Sequence, residues 1–161
     1  MIVCYPGTFD PITNGHLDII ERAANMFEEV VVLIMKNPNK VPTFTEEERK
    51  ELIEACLKDK QLNNVRVEIG SGLTVLYARM LGAKAIIRGI RAVTDYENEL
   101  QQATANLTLA DDVETLFFIA KPEYSFLSSS IVKEIAYNGG ELDAFVPEVI
   151  IDKVKNKLKN S

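Results

Sequence analysis

Only one histidine stands in this 161-residue chain, at the end of the run PGTFDPITNGH over residues 6–16. Gly7 lets the backbone approach a ligand closely, and Thr8 places a hydroxyl beside it. Asn14-Gly15-His16 fall where a first helix should begin, so free amides and the positive end of the helix dipole face outward. An imidazole added there can donate a hydrogen bond to a phosphoryl oxygen. The same run also reads as a turn that carries an incidental exposed histidine. Arg88-Gly89-Ile90-Arg91 sets two guanidinium groups around a glycine, a pattern able to fork onto phosphate oxygens or to pair with Asp95 or Glu97 at the surface. Ser128-Ser129-Ser130 precedes a helical pattern, as an N-cap or as a run of hydroxyls and amides for an anion. Lys40, between Pro38 and Pro42, adds a loop cation that taken alone would simply be solvated. The shared chemistry is the holding and neutralising of anions.

These residues need a scaffold that brings them to one edge. Apolar, β-branched runs at residues 2–5, 29–35, 65–69, 83–87 and 114–120 read as strands. Helical patterns fall between them: residues 16–27, with Leu17, Ile20, Ala24 and Phe27 on one face, then 45–57, 73–81 and 94–109. Two more, at 130–137 and from Pro147 onward, follow the last strand. Thr45 with Glu48, and Thr94 with Glu97, have the spacing of capping boxes, and Gly82 suits a helix C-terminus. Strand and helix alternate with no hairpin signal, which predicts an α/β fold: one doubly wound domain over 1–161, a five-stranded parallel sheet with helices on both faces. In such sheets ligands bind beyond the carboxyl ends of the strands. The candidate residues fall in those strand-end loops.

Composition narrows the partners. Hydrophobic residues make up 47% and charged residues 26%, ordinary values for a folded globular chain. A net charge of −6 argues against a nucleic-acid or anionic-membrane surface. No basic n-region follows Met1 and no apolar stretch reaches membrane-spanning length, so no secretory signal and no membrane span are expected. Cys4 and Cys56 are too few for a disulfide framework or a zinc site. G-x-x-x-x-G-K-[ST], G-x-G-x-x-G after the first strand and G-x-S-x-G are all missing, which counts against P-loop enzymes, conventional dinucleotide binders and serine hydrolases.

Taken in order, Thr8, Thr13-Asn14-Gly15-His16, Arg88-Gly89-Ile90-Arg91 and Leu127-Ser128-Ser129-Ser130 resemble the bacterial phosphopantetheine adenylyltransferase family, within the nucleotidyltransferases that carry an (H/T)xGH motif. The resemblance runs from Ile2 to the last helix. It implies a Rossmann-like fold and transfer of the adenylyl group of ATP to 4′-phosphopantetheine, giving dephospho-coenzyme A and pyrophosphate in coenzyme A synthesis. It also implies Mg²⁺ with the nucleotide, a cytoplasmic homohexamer, and coenzyme A as feedback inhibitor. By matching position, His16 would stabilise the transition state, aided by Lys40 and Arg91. Thr8, Phe9, His16, Gly89, Ile90, Arg91, Glu99 and Tyr124, Ser125, Phe126, Leu127, Ser128, Ser129 and Ser130 would meet ATP. Thr8, Lys40, Thr74, Arg88 and Asn106 would meet the pantetheine substrate. Many relatives carry arginine after Asn106, where this chain has Leu107.

The implied reaction suits the residues. A phosphate monoester is already anionic near neutral pH, so its attack on the α-phosphorus of ATP needs no general base and no side-chain nucleophile. It needs two anions aligned and the charge on the equatorial oxygens offset. No cluster of carboxylates fixes a metal, so Mg²⁺ is expected to arrive on the ATP phosphates. Rival readings are a related transferase for another phosphate acceptor, a non-catalytic nucleotide-binding module, and a class I synthetase fragment. The last is disfavoured by the short acidic chain without a KMSKS-like element.

Overall fold

The computed structural model describes residues 1–159. Five strands, β1 (Ile2–Gly7), β2 (Glu29–Met35), β3 (Val65–Gly70), β4 (Ala85–Ile90) and β5 (Glu114–Ile119), form one all-parallel sheet in the order β3-β2-β1-β4-β5. Winding runs outward from β1 in one direction through β2 and β3, then resumes on the other side at β4. The crevice between the ends of β1 and β4 is therefore the topological switch point, where open α/β sheets bind ligands.

Among the described residues, six α-helices cover the sheet: α1 (Asn14–Met26), α2 (Glu46–Asp59), α3 (Thr74–Met80), α4 (Val93–Leu109), α5 (Ser129–Tyr137) and α6 (Ile151–Lys159). On one face, Val3, Tyr5, Val30, Val32, Ile34 and Ile87 pack into a large core with α1, α2, α5 and α6. On the other, Cys4, Val31 and Ile86 meet a small cluster with Val75 and Ala78 of α3. Alternation along each strand splits the side chains between the faces. The inner strand β2, between β3 and β1, is fully buried from Val30 to Ile34, as its unbroken apolar run requires. No helix among the described residues is long and apolar enough to cross a membrane.

Three boundaries differ from expectation. Arg88, Gly89 and Ile90 belong to β4 rather than to the loop after it, and pair with Phe117, Phe118 and Ile119 of β5. Gly89 is there for space: a Cβ would lie 2.7 Å from Ile19 Cδ1. The Thr94–Glu97 capping box does not form. Ala92 is the N-cap of α4, and Asp95 accepts the Arg91 N–H at 3.1 Å instead. Pro147 leads into a 3₁₀ turn, Glu148–Ile150, ahead of α6. The Thr45–Glu48 box and the positive φ of Gly82 (82°) match the reading.

Candidate active site

The chain leaves β1 at Gly7 and turns sharply. Phe9 sits at φ 50°, a conformation that folds its ring back over Gly7, where a Cβ would approach the ring to 3.1 Å. That ring meets Tyr5 edge-on at 5.3 Å and His16 at 4.9 Å. Thr13 then caps α1: its Oγ1 accepts the His16 N–H at 3.3 Å, and its own N–H donates to His16 Nδ1 at 3.1 Å. This reciprocal pair settles the tautomer. A backbone N–H can only donate, so Nδ1 holds a lone pair and the ring hydrogen sits on Nε2. Burial lowers the His16 pKa to about 4, with Arg91 and Arg88 adding repulsion. His16 is thus a neutral donor at physiological pH.

Across the switch point, β4 supplies two guanidinium groups that already have partners. Arg88 forks onto Glu99, Nε to Oε2 at 2.7 Å and Nη2 to Oε1 at 2.8 Å, while Nη1 donates to the Pro6 carbonyl at 3.0 Å. Burial works against its charge, and the Glu99 hydrogen bonds and charge more than offset that, raising its pKa. Arg91 donates to Asp95 Oδ2 at 3.2 Å and to the Leu127 carbonyl at 2.8 Å. Asp95 and Glu99 both lie on α4, so that helix provides the counter-charge for both arginines. Of the two acidic partners expected from sequence, Asp95 pairs with Arg91; Arg88 takes Glu99 in place of Glu97.

The third wall is the start of α5. Ser128 caps it by accepting the Ile131 N–H at 3.2 Å, and Ser129 Oγ donates to the Pro11 carbonyl at 2.7 Å, which ties the serine run to the first loop. A cleft of about 290 Å³ opens between the three walls, with His16, Arg88, Gly89, Arg91 and Glu99 on its lining. Thr8, Phe9, Tyr124, Leu127, Ser128 and Ser129 complete the expected residues found there. Thr8 and Ser129 are shared with a second cleft of about 680 Å³ that holds Lys40 and Ser130. Arg88 and Glu99 are shared with a third, of about 310 Å³, that holds Thr74 and Asn106. The three form one continuous rim. Ile90, Ser125 and Phe126 line none of them; Ile90 is buried in β4, and Phe126 stands against Phe145 at 5.9 Å.

Asp10, Arg49 and Lys133 also line the second cleft, and sequence reading passed over all three. Asp10 and Arg49 are only 4% and 2% exposed. A buried acid and a buried arginine are the one signal that could have drawn attention to them, and burial is visible only once the chain is folded. Among the described residues, no group of three His, Cys, Asp or Glu side chains gathers in a way that could hold a metal.

A family model described as cytidylyltransferase-like matches residues 4–135. A phosphopantetheine adenylyltransferase of Finegoldia magna is 52% identical over 159 residues, covering 98% of this chain and 96% of its own. One from Gloeobacter violaceus is 53% identical over 158 residues, with 98% and 97% coverage. Among solved structures, a bifunctional NMN adenylyltransferase/ADP-ribose pyrophosphatase of Francisella tularensis superposes with a TM-score of 0.67 at 17% identity. It covers 99% of this chain and 49% of its own, a likeness of fold alone. Half-identical to such proteins from end to end, and built on the same kind of domain, the chain belongs to the phosphopantetheine adenylyltransferase family.

Proposed function

We propose that the protein transfers the adenylyl group of ATP to 4′-phosphopantetheine, releasing pyrophosphate and dephospho-coenzyme A, by direct in-line attack without a covalent enzyme intermediate. The observation that carries this is the rim at the switch point. It sets a neutral donor, two guanidinium groups and the start of a helix around one crevice, beside a chain half-identical to phosphopantetheine adenylyltransferases. The acceptor phosphate is its own nucleophile, so alignment and charge neutralisation are the whole task. Alignment supplies ~7–11 kcal/mol of barrier reduction in well-oriented systems.

His16 donates through Nε2 to the oxygens of the α-phosphate as charge builds there. A neutral donor fixed in place can serve that charge without any proton being exchanged. Arg91 and the α5 start hold the nucleotide phosphates; Thr8, Lys40, Arg88, Thr74 and Asn106 hold the pantetheine phosphate and its arm. A divalent cation, Mg²⁺, travels on the ATP phosphates as part of the substrate. We further read the chain as a single cytoplasmic domain that assembles into a homohexamer and is inhibited by coenzyme A, its substrate-like end product. The assembly is supported by α4, in which no residue is buried and Val93, Tyr96, Leu100 and Leu107 form one exposed apolar stripe.

The test is pyrophosphate release from Mg-ATP. It is expected only when 4′-phosphopantetheine is supplied. Release with nicotinamide mononucleotide or glycerol phosphate instead would assign a different acceptor, and none with any acceptor would leave a nucleotide-binding module.

A further inference from the structure

An acid on the wall of a cleft meant for polyanions is out of place unless it does something other than meet the ligand. Asp10 is such a residue. Its carboxylate is spent on three partners: Oδ1 accepts the Phe44 N–H at 2.8 Å, and Oδ2 accepts the Thr43 N–H at 2.9 Å and Lys133 Nζ at 2.7 Å. The loop over residues 36–44 is exposed from Lys36 through Val41. Its backbone is tied by Lys36 N–H to the Gly70 carbonyl at one end and by a small turn at Asn37, whose carbonyl accepts the Lys40 N–H at 3.2 Å. The far end is fixed at Thr43 and Phe44. There Asp10 takes both amides, and Arg49, itself buried, donates from Nε to the Phe44 carbonyl at 3.0 Å and from Nη1 to the Thr8 carbonyl at 2.8 Å. Phe44 is thus held at both its N–H and its C=O, with its ring 3% exposed in the core.

We propose that Asp10 is a positioning residue: by accepting the amides of Thr43 and Phe44 it anchors the loop that carries Lys40 and so sets the lysine over the second cleft. The role rests on the reading of Lys40 as a contact for the pantetheine phosphate. Charge-assisted bonds to backbone amides are strong and directional, which suits an anchor. Asn in place of Asp keeps the shape but loses the charge, and one of its two terminal atoms becomes a donor facing an N–H or an ammonium.

The test is a double-mutant cycle with an exchange measurement on the full-length protein. Asp10→Asn is expected to raise KM for 4′-phosphopantetheine about tenfold while KM for ATP moves less than about twofold. In the Lys40→Ala background the same change should add less than about twofold, because residues acting through one another are not additive. Hydrogen–deuterium exchange should quicken in the peptide over 36–44, and not in β2. Additive effects in the cycle, or unchanged exchange at 36–44, would overturn the proposal. A Lys40→Ala variant with unaltered KM would instead remove the assignment of Lys40 and with it the coupling. Faster exchange in Asp10→Asn would then still establish the anchor. Should Asp10→Asn not fold, Thr43→Pro deletes one of the two amides and is expected to shift KM in the same direction by a smaller factor.

Discussion

Two helices of this molecule begin with the same reciprocal pair of hydrogen bonds and use it for different ends. At α2, Thr45 Oγ1 accepts the Glu48 N–H at 3.1 Å and Glu48 Oε2 accepts the Thr45 N–H at 2.9 Å. At α1, Thr13 and His16 make the same exchange, with an imidazole nitrogen where the carboxylate would be. Glu48 puts a negative charge at the positive helix end, the ordinary electrostatic optimum, and the Thr45 amide, then Lys157, holds its pKa below the usual carboxylate range. His16 brings no charge. What it has that glutamate lacks is a second polar atom: with Nδ1 committed to the cap, Nε2–H is left over in a residue on the cleft wall. One box only starts a helix; the other starts a helix and aims a donor.

The hardest test of that difference is to make the two boxes alike. His16→Glu should keep the α1 cap and a melting temperature within about 4 °C of the parent, a shift of roughly 1 kcal/mol. Turnover should nevertheless fall at least ~100-fold, the cost of removing one preorganised donor, ~2.7–4 kcal/mol. His16→Ala should lose the same activity and some of the cap as well. A folded His16→Glu enzyme of near-parental turnover would show that the imidazole is only a cap.

Next in size is the opposite wall. If the guanidinium groups rather than the donor carried the chemical step, Arg88→Ala would act on kcat. We expect it to weaken 4′-phosphopantetheine binding at least ~10-fold, the scale of one hydrogen bond to a charged group, and to alter ATP binding less. Part of that loss should come from Glu99, which is left without its fork and facing an anion. Titration of Arg88→Ala beside Arg88→Ala/Glu99→Ala separates the two contributions, and the double variant should bind the substrate phosphate more tightly than the single one.

The same comparison explains what sequence could and could not disclose. Local rules reached whatever depends on neighbours in the chain: β2 at Glu29–Met35, the Thr45–Glu48 box, the glycine after α3, and the gathering of candidates at strand ends. They overreached where one pattern was outbid by a competing contact, local in one case and tertiary in the other. Thr94 and Glu97 have box spacing, but α4 begins two residues earlier, with Ala92 as its N-cap, and Asp95 serves the Arg91 amide. Gly89 looks like a breaker and is a strand residue that makes room for Ile19. Asp10 and Lys133 stood outside any reading of spacing, since 123 residues separate the two ends of that ion pair. The hydrogen on His16 was equally hidden, because it follows from which way the Thr13 amide points.

A smaller effect should distinguish the two threonines. Thr45→Ala and Thr13→Ala each remove an N-cap hydroxyl, a change that typically costs about 1 kcal/mol of stability. Thermal melts should therefore shift by similar amounts in both. Activity should not: Thr45→Ala is expected to turn over normally, whereas Thr13→Ala should lose roughly threefold to tenfold because the ring keeps the amide bond but not the hydroxyl at 3.2 Å. Equal activity in the two variants would erase the distinction between the boxes.

The smallest expected effect is no effect, and it follows from the charge state. With its pKa lowered to about 4 by burial and by the two arginines, His16 does not titrate between pH 8 and 5.5. The His16 ring resonances of the ligand-free protein should then show no titration near 6.5, the ordinary histidine value, whereas turnover reports also on the acceptor phosphate, whose own second ionisation lies at about 6. Stability behaves differently. The unfolded chain takes up a proton on this side chain as pH falls through about 6.5, while the folded chain resists until about 4, so the folded state loses ground across that window and regains none of it below. Denaturant melts at pH 7 and pH 5 should show this pH-dependent loss in the parent and a smaller one in His16→Ala. A His16 ring that titrates near 6.5 in the ligand-free protein would mean the imidazole takes up a proton in the working pH range, and the donor fixed by the Thr13 amide would no longer account for the site.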